Sequence, residues 1–379
     1  MVVKFNYVYY NSPDDTTRYE YTFHNPLHYA IATNYTEVGR VVEEAEYYQR
    51  QGYYVALYLT YEAATYYNQS FEVNVPEDHI YAAYYAFEHP VDEEGESMPL
   101  SQFQMPKFSC IHTSDEIQKH IRTIQQEIIS GWTYQVNYTT RFESAEKVCI
   151  STLYAFLTQK GNGHYTVLID TEDLKIASIS PELFFQVGPF GEANERMIVS
   201  KPMKGTIQRG ATVEEDEKNF QELQQSAKDR AENVMIVDLL RNDIARIART
   251  GTVEVKHPFL IEAYKTVFQM TTMVLGQVEN VSSYNEMFEA LFPCGSITGA
   301  PKVNTMNIIN QLESTPRHGY CGTIGLLHPD GKAIFNVPIR TVQQLHNRLV
   351  YGVGAGITID SDPQKEYKEF LTKTKILEG

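Results

Sequence analysis

Apolar positions recur along this chain in two rhythms. Residues 36–51 (TEVGRVVEEAEYYQRQ) carry them at helical spacing. After a turn at Gly52, the block Val55-Ala56-Leu57-Tyr58-Leu59 predicts a buried strand of β-formers. Further on, Ile117, Ile121, Ile124 and Ile128 share one face of a helix predicted over 115–130, with Ser114 as its cap and Gly131 as its stop. Residues 165–169 and 183–187 predict strands, and 213–247 predicts a long helical region rich in Glu, Lys and Ala. Strand-like runs follow near 252–256, 267–275, 320–327, 334–341 and 348–353, and a closing helix is expected after Pro363. Strands alternating with helices predict an α/β or α+β enzyme.

Composition divides the chain unevenly. Many of its 27 tyrosines fall in the first hundred residues, in runs such as 7–10, 47–48, 53–54 and 84–85. The stretch from Pro90 to Pro106 is acidic, lacks periodicity and carries Pro and Gly, which makes it the linker candidate. The expected division is a tyrosine-rich part over 1–105, packed into the same fold, and a catalytic domain over 106–379. The net charge of −16 argues against nucleic acid or an anionic membrane as partner, so an anionic substrate needs a local basic pocket. Cys110, Cys149, Cys294 and Cys321 are scattered without a CxxC pair and read as reduced thiols. The start Met1-Val2-Val3-Lys4-Phe5 has no basic head before an apolar run, and no stretch approaches the roughly 20 apolar residues that span a bilayer. No membrane association and a cytoplasmic location are the expectations.

Four segments carry candidate chemistry. Ser180-Pro181-Glu182 leads into an apolar strand, where partial desolvation would raise the pKa of Glu182 and suit a general acid; a solvated loop glutamate is the plainer alternative. Lys201-Pro202-Met203-Lys204-Gly205-Thr206 offers a lysine on a stiffened, close-approaching backbone. Lys204 could be a cation for an anionic substrate, a nucleophile if its pKa is lowered, or a surface residue on a turn. Asp229 and Glu232 stand three apart on one helix, and Glu366 and Glu369 stand three apart on another, with Lys373 one turn beyond. Two such faces brought together would offer the all-oxygen site that Mg²⁺ prefers; singly, they read as surface carboxylates paired with lysines. Finally, 294–302 (CGSITGAPK) is a Gly/Ser/Thr loop before an apolar helix, able to offer N–H groups and hydroxyls to an anion without being a P-loop. The later run Gly352-Val353-Gly354-Ala355-Gly356 reads as close backbone packing or carboxylate binding.

SPELFF, KDRAENVMIVDLLRND, GSITGAPK, IRT at 339–341 and the GAGI–ExxExxxK ending occur in that order. Together they make the chain resemble the chorismate-utilising enzymes over about 110–379, and more weakly before that. The resemblance implies a fold of two large antiparallel β-sheets packed face to face and surrounded by helices, as in anthranilate synthase component I. Within the family, Gln135 matches the amine-adding members, and PMKGT with Lys204 is similar to the aminodeoxychorismate synthases, as is GYYVALYLTYEAA. Amination of chorismate, formally a transaminase-class reaction on the route to p-aminobenzoate and folate, is therefore the expectation.

The resemblance also implies site roles. Lys204 would attack ring carbon C2 while Glu182 assists departure of the C4 hydroxyl; ammonia would then displace the lysine. Gln269 stands where relatives often have His, and it cannot become cationic near pH 7. Mg²⁺ would be held by Glu232 and Glu369, with Asp229 and Glu366 nearby. Gly295, Ser296 and Thr298 would take the enolpyruvyl carboxylate, with Arg340 and Lys373 supplying charge. Gly205, Thr206, Tyr320, Gly354, Ala355 and Gly356 complete the implied substrate contacts. No glutaminase segment is recognisable, so a separate glutamine amidotransferase subunit is the expected ammonia donor. The rival readings are anthranilate synthase, more distantly isochorismate or salicylate synthase, which Gln135 disfavours, and a catalytically inactive homologue acting as a binding scaffold.

Overall fold

Strand pairing shows how the tyrosine-rich N-terminal residues are incorporated. In the computed structural model, which describes residues 1–92, 103–160, 163–279 and 282–378, Val2–Tyr10 pairs with Thr16–His24 on one side and with Tyr165–Asp170 on the other. His28–Ala32, Tyr54–Leu59 and Ala82–Phe87 join a second sheet. Residues 1–92 thus thread both sheets. Most of the proposed linker, 93–102, lies outside the described residues.

Among the described residues, the first sheet has nine strands. It runs from Gly299–Ala300 through Gln135–Ser144, Arg348–Ile357, Thr341–Leu345, Lys175–Ser180, Tyr165–Asp170 and Val2–Tyr10 to Thr16–His24, and Ser109–Cys110 pairs alongside. The second has ten. It starts with Met203–Gln208, Val267–Gln277, Glu195–Lys201 and Leu183–Phe190, and ends at His28–Ala32. Among the described residues every strand pairing is antiparallel, with registers such as Leu349↔Ser144 and Ile198↔Gly276.

The sheets pack face to face through one aromatic-rich cluster, in which Phe5, Tyr7 and Tyr165 of the first sheet meet Tyr58, Tyr85, Ile324 and Val199 of the second. Tyrosine suits this layer because its ring fills the gap between sheets while its hydroxyl can reach a carbonyl: Tyr7 donates to the Ile324 carbonyl at 2.9 Å and Tyr9 to that of Pro189 at 2.7 Å, whereas the buried Tyr58 hydroxyl has no partner among the described residues. Helices cover the outer faces. Val38–Arg50, Ala227–Ala245 and Tyr284–Leu291 pack on the second sheet, while Ser114–Ile129, Ile150–Lys160 and Pro363–Lys373 pack on the first. No helix among the described residues is long and apolar enough to cross a membrane.

Several boundaries differ from the sequence expectation, each for a local reason. The cap of Ser114–Ile129 is Thr113, not Ser114: Thr113 Oγ1 accepts from Glu116 N, and the Glu116 carboxylate accepts from Thr113 N at 2.7 Å, a closed capping box. The helical region 213–247 is two helices, Val213–Gln225 and Ala227–Ala245. They are divided by Ser226, whose extended backbone and hydroxyl cap the second. The expected run 334–341 is split between the sheets, Ala333–Asn336 in the second and Thr341–Leu345 in the first, and Arg340 takes a left-handed φ of 52° at the crossing.

A buried charge cluster ties the first sheet to the connection that follows Lys302–Leu312. Glu313 accepts from Arg317 at 2.6 Å, from Arg141 at 3.4 Å and from the Thr139 amide at 2.8 Å, and all three charged side chains are at most 3% exposed. Breaking such a pair strands uncompensated charge. Glu313→Ala is expected to destabilise the fold by about 3–5 kcal/mol in urea unfolding, because two guanidinium groups lose their carboxylate together. A loss below about 1 kcal/mol, the value of an exposed pair, would show that water reaches the cluster.

Candidate active site

The candidate site forms where the sheet ends that carry Gly299–Ala300 and Met203–Gln208 approach each other. In Met203–Gln208 the register slips between Met203 and Thr206, and Gly205 adopts a φ of +88°. Glycine suits this bulge for two reasons. The left-handed backbone favours it, and an added Cβ would lie 2.9 Å from the Cβ of Asp229. Across the gap, Gly352, Gly354 and Gly356 fall on one face of Arg348–Ile357, because strand side chains alternate. A Cβ on Gly356 would lie 2.4 Å from Gln135 Nε2 and 3.5 Å from Lys204 Nζ; one on Gly352 would strike the Tyr320 ring at 2.3 Å. This stripped strand face gives the lysine, Gln135 and Tyr320 their room. Ala355 points the other way, into the helix-covered core, so its methyl takes no part in the site.

Lys204 is half-buried. Burial lowers the pKa of its ammonium below the ordinary lysine value, against the opposing pull of Glu232, Glu182 and Glu369. Glu182 is buried, and burial raises its carboxyl pKa, with Ser296 and Lys204 pulling it back. Its backbone is held at both ends: its amide donates to Ser180 Oγ at 3.1 Å and its carbonyl accepts from Val337 N at 3.1 Å. Arg340 is also half-buried, with burial lowering its pKa. Among the described residues, neither Lys204 nor Arg340 has a carboxylate within ion-pairing distance. An interior guanidinium with no carboxylate paired to it, as at Arg340, suits an anionic ligand.

The other expected residues are distributed unevenly. Gln269 lies opposite Thr206 in the strand register, and its Nε2 reaches Thr206 Oγ1 at 3.4 Å. The Oε1 atoms of both Gln269 and Gln135 are buried without a hydrogen-bond partner, so each is an acceptor left for a ligand. Ser296 donates to Glu182 Oε1 at 2.7 Å. Thr298 spends its hydroxyl inside its own turn, donating to the Cys294 carbonyl at 3.1 Å, and is fully buried. Gly295 allows the turn to pack on the second helix of the split pair, since a Cβ would meet Leu239 Cδ2 at 2.3 Å. Lys373 is engaged already, donating to the Gly354 carbonyl at 2.6 Å and pairing with Glu369 at 2.7 Å.

The four expected metal carboxylates stand on Ala227–Ala245 and Pro363–Lys373 in two kinds of surroundings. Glu369 helps to raise the pKa of Glu232, and both carboxylates act on Lys204. Burial raises the pKa of Glu232, and the nearest cation, Lys228, is loosely placed at 3.8 Å. Asp229 is occupied by the Ser226 hydroxyl, and Glu366 accepts from Ser361 Oγ at 2.8 Å. Among the described residues, no three Asp, Glu, His or Cys side chains converge at ligating distance. A hard cation at Glu232 and Glu369 would take two protein carboxylates and complete its shell with water and ligand oxygens.

The sequence reading left Tyr264 out of the site. It sits in the hairpin before Val267–Gln277, buried, its ring centroid 4.7 Å from that of His164 with the planes tilted by 35°, within electrostatic reach of both Arg340 and Glu182. No motif marks it; only the pairing of Glu254–Ala263 with Val267–Gln277 brings it there.

Comparison with known proteins agrees with this geometry. A family model described as chorismate binding enzyme matches residues 5–379. The aminodeoxychorismate synthase of Streptomyces griseus is 38% identical over 266 residues, which is 70% of this chain and 36% of that protein. Aminodeoxychorismate synthase component 1 of Bacillus subtilis is 37% identical over 70% of this chain and 55% of its own length. Anthranilate synthase component 1 1 of Haloarcula marismortui is 34% identical over 70% and 53%. The chain thus spans about half the length, or less, of the curated relatives it matches. The crystal structure of anthranilate synthase component I from Streptococcus pneumoniae superposes with a TM-score of 0.77 at 20% identity, covering 99% of this chain and 90% of that one. At that identity the likeness establishes the shared fold.

Proposed function

The chain belongs to the chorismate-binding enzyme family, and from that premise we propose that it aminates chorismate to 4-amino-4-deoxychorismate. The observation that carries the reading is Lys204. It stands in PMKGT with its Nζ beside Gly356 and Gln135, its pKa lowered, and Glu182, Glu232 and Glu369 around it. The relatives named aminodeoxychorismate synthase support the same choice.

In the proposed reaction, the neutral Lys204 amine bonds to C2 of the ring. The conjugated π electrons shift toward C4, the C4–O bond breaks, and the hydroxyl takes a proton from Glu182 and leaves as water. Ammonia then adds at C4, the π electrons shift back, and the lysine departs with its electron pair. A lowered lysine pKa supplies the free amine, and a raised glutamic acid pKa supplies the proton. Arg340 receives a substrate carboxylate, while the Oε1 atoms of Gln135 and Gln269 accept from the incoming ammonia or the departing hydroxyl. Glu232 and Glu369 would hold Mg²⁺, with Asp229 and Glu366 behind them; when bound, the ion would supply positive charge to the ring carboxylate. The component 1 names of the relatives support a separate partner subunit, which we take to be a glutamine amidotransferase supplying the ammonia.

The test is product analysis of the purified chain with chorismate and an ammonium salt, with and without MgCl₂. The expected product keeps its enolpyruvyl group and carries an amine, and its formation stops in EDTA. Fluorescent anthranilate with free pyruvate would instead favour the reading suggested by the Haloarcula marismortui relative.

A further inference from the structure

We propose that Ser296 is a positioning residue for Glu182: its hydroxyl occupies Oε1 and so leaves the acidic proton on Oε2, the oxygen that faces the departing hydroxyl. This rests on the amination reading above, in which Glu182 is the general acid. The sequence placed Ser296 on a substrate carboxylate instead, as part of a loop of anion donors. The geometry assigns its hydroxyl differently. Ser296 Oγ lies 2.7 Å from Glu182 Oε1, and both residues are buried, at 5% and 4% exposure. A hydroxyl has one proton to donate, so a Ser296 bound to Glu182 is not a donor to substrate.

The surrounding contacts fix the pair. Cys294 Sγ sits 3.2 Å from Ser296 Oγ and closes its other side. Burial, with Glu182 adding to it, pushes the Cys294 thiol up to about 12, so the sulfur is a neutral neighbour. Glu182 Oε2 has no hydrogen-bond partner among the described residues. A protonated carboxyl whose Oε1 accepts a hydrogen bond keeps its proton on the other oxygen. Proton transfer then leaves a carboxylate whose Oε1 is already stabilised, while the C–O electron pair leaves with the water. The other titratable groups facing Glu182 are the Lys204 ammonium, from Met203–Gln208, and the Tyr264 hydroxyl, from the hairpin before Val267–Gln277.

The experiment is steady-state kinetics over pH with Ser296→Ala and Ser296→Cys; the cysteine keeps the approximate volume but is a weak donor. Both are expected to lower kcat roughly tenfold with KM for chorismate within about twofold, the loss of one hydrogen bond made to the acid. Both should also move to higher pH the inflection that Glu182→Gln removes, because the carboxylate loses a donor. If Ser296 held the substrate carboxylate, KM would rise while kcat and the inflection stayed put, and the proposal would fall. Should Ser296→Ala fail to fold, Ser296→Cys carries the same readout. The infrared C=O band of the protonated carboxyl, assigned with Glu182→Gln, reports the same shift without turnover. An unmodified chain that yields anthranilate would overturn the amination reading alone, since the acid still protonates the leaving hydroxyl. A band and inflection unmoved by either substitution would overturn the Ser296 assignment alone.

Discussion

Lys204→Ala is expected to reduce formation of aminated product by about 10³-fold or more, while chorismate affinity measured by calorimetry changes only a few-fold. The asymmetry follows from where the side chain sits. Its Nζ lies against the stripped face of Arg348–Ile357 beside Gln135, and it has no carboxylate within ion-pairing distance among the described residues. Arg340 remains to take an anionic group when the lysine is lost. A lysine serving only as a point charge would affect binding first and would be largely replaced by arginine. A lysine that bonds to the ring would not, because guanidinium stays protonated at any working pH. Lys204→Arg should therefore be nearly as inactive as Lys204→Ala. The unmodified chain, given chorismate and MgCl₂ without ammonia, should acquire an adduct equal to chorismate less one water on the peptide containing Lys204. Normal product formation by Lys204→Ala would remove the covalent role.

The parts of this site differ in how legible they are in the sequence. Periodicity predicts the helix over 115–130 because its isoleucines recur every third or fourth position, and Thr113-x-x-Glu116 is a readable capping signal once Ser114 is not taken for the cap. Alternation also tells that Gly352, Gly354 and Gly356 face one way and Ala355 the other. The sheet change between Asn336 and Thr341 is not readable, because the residues on both sides of it are buried and read as one run. Nor is the break at Ser226, where good helix formers continue on both sides and a single capping hydroxyl decides.

Partner assignments are harder still. The CGSITG segment suggested donors for an anion, and every one of its polar side chains is plausible in that role. The fold spends Thr298 on its own turn and Ser296 on Glu182, which is 114 positions away. Lys373 reads as a free cation one turn beyond Glu369, yet it is taken by that carboxylate and by the Gly354 carbonyl. Residue type limits what each group can do; only the tertiary contact decides which of those options is used. Tyr264 shows the converse, a residue with no motif that the β-hairpin carries to the site.

Glu182→Gln is the second large effect expected, a fall of about 10²–10⁴-fold in kcat, with loss of the falling limb of the pH–rate profile. The sign follows from the required protonation states. Turnover needs Glu182 protonated, so activity declines as pH rises through its pKa, which burial raises above the ordinary value. Turnover also needs Lys204 neutral, so activity climbs as pH rises through its pKa, which burial lowers. The product of the two fractions is a bell whose limbs have been drawn toward neutrality. Glutamine keeps the shape and can still accept from Ser296, but it has no acidic proton, so activity should rise with pH to a plateau and stay there. Ammonium equilibrates to ammonia over the same range, so the profile must be taken at constant free ammonia. If the substituted enzyme keeps a descending limb at high pH, the proton to the leaving hydroxyl comes from another group, and Tyr264, within reach of both Glu182 and Arg340, is the next to substitute.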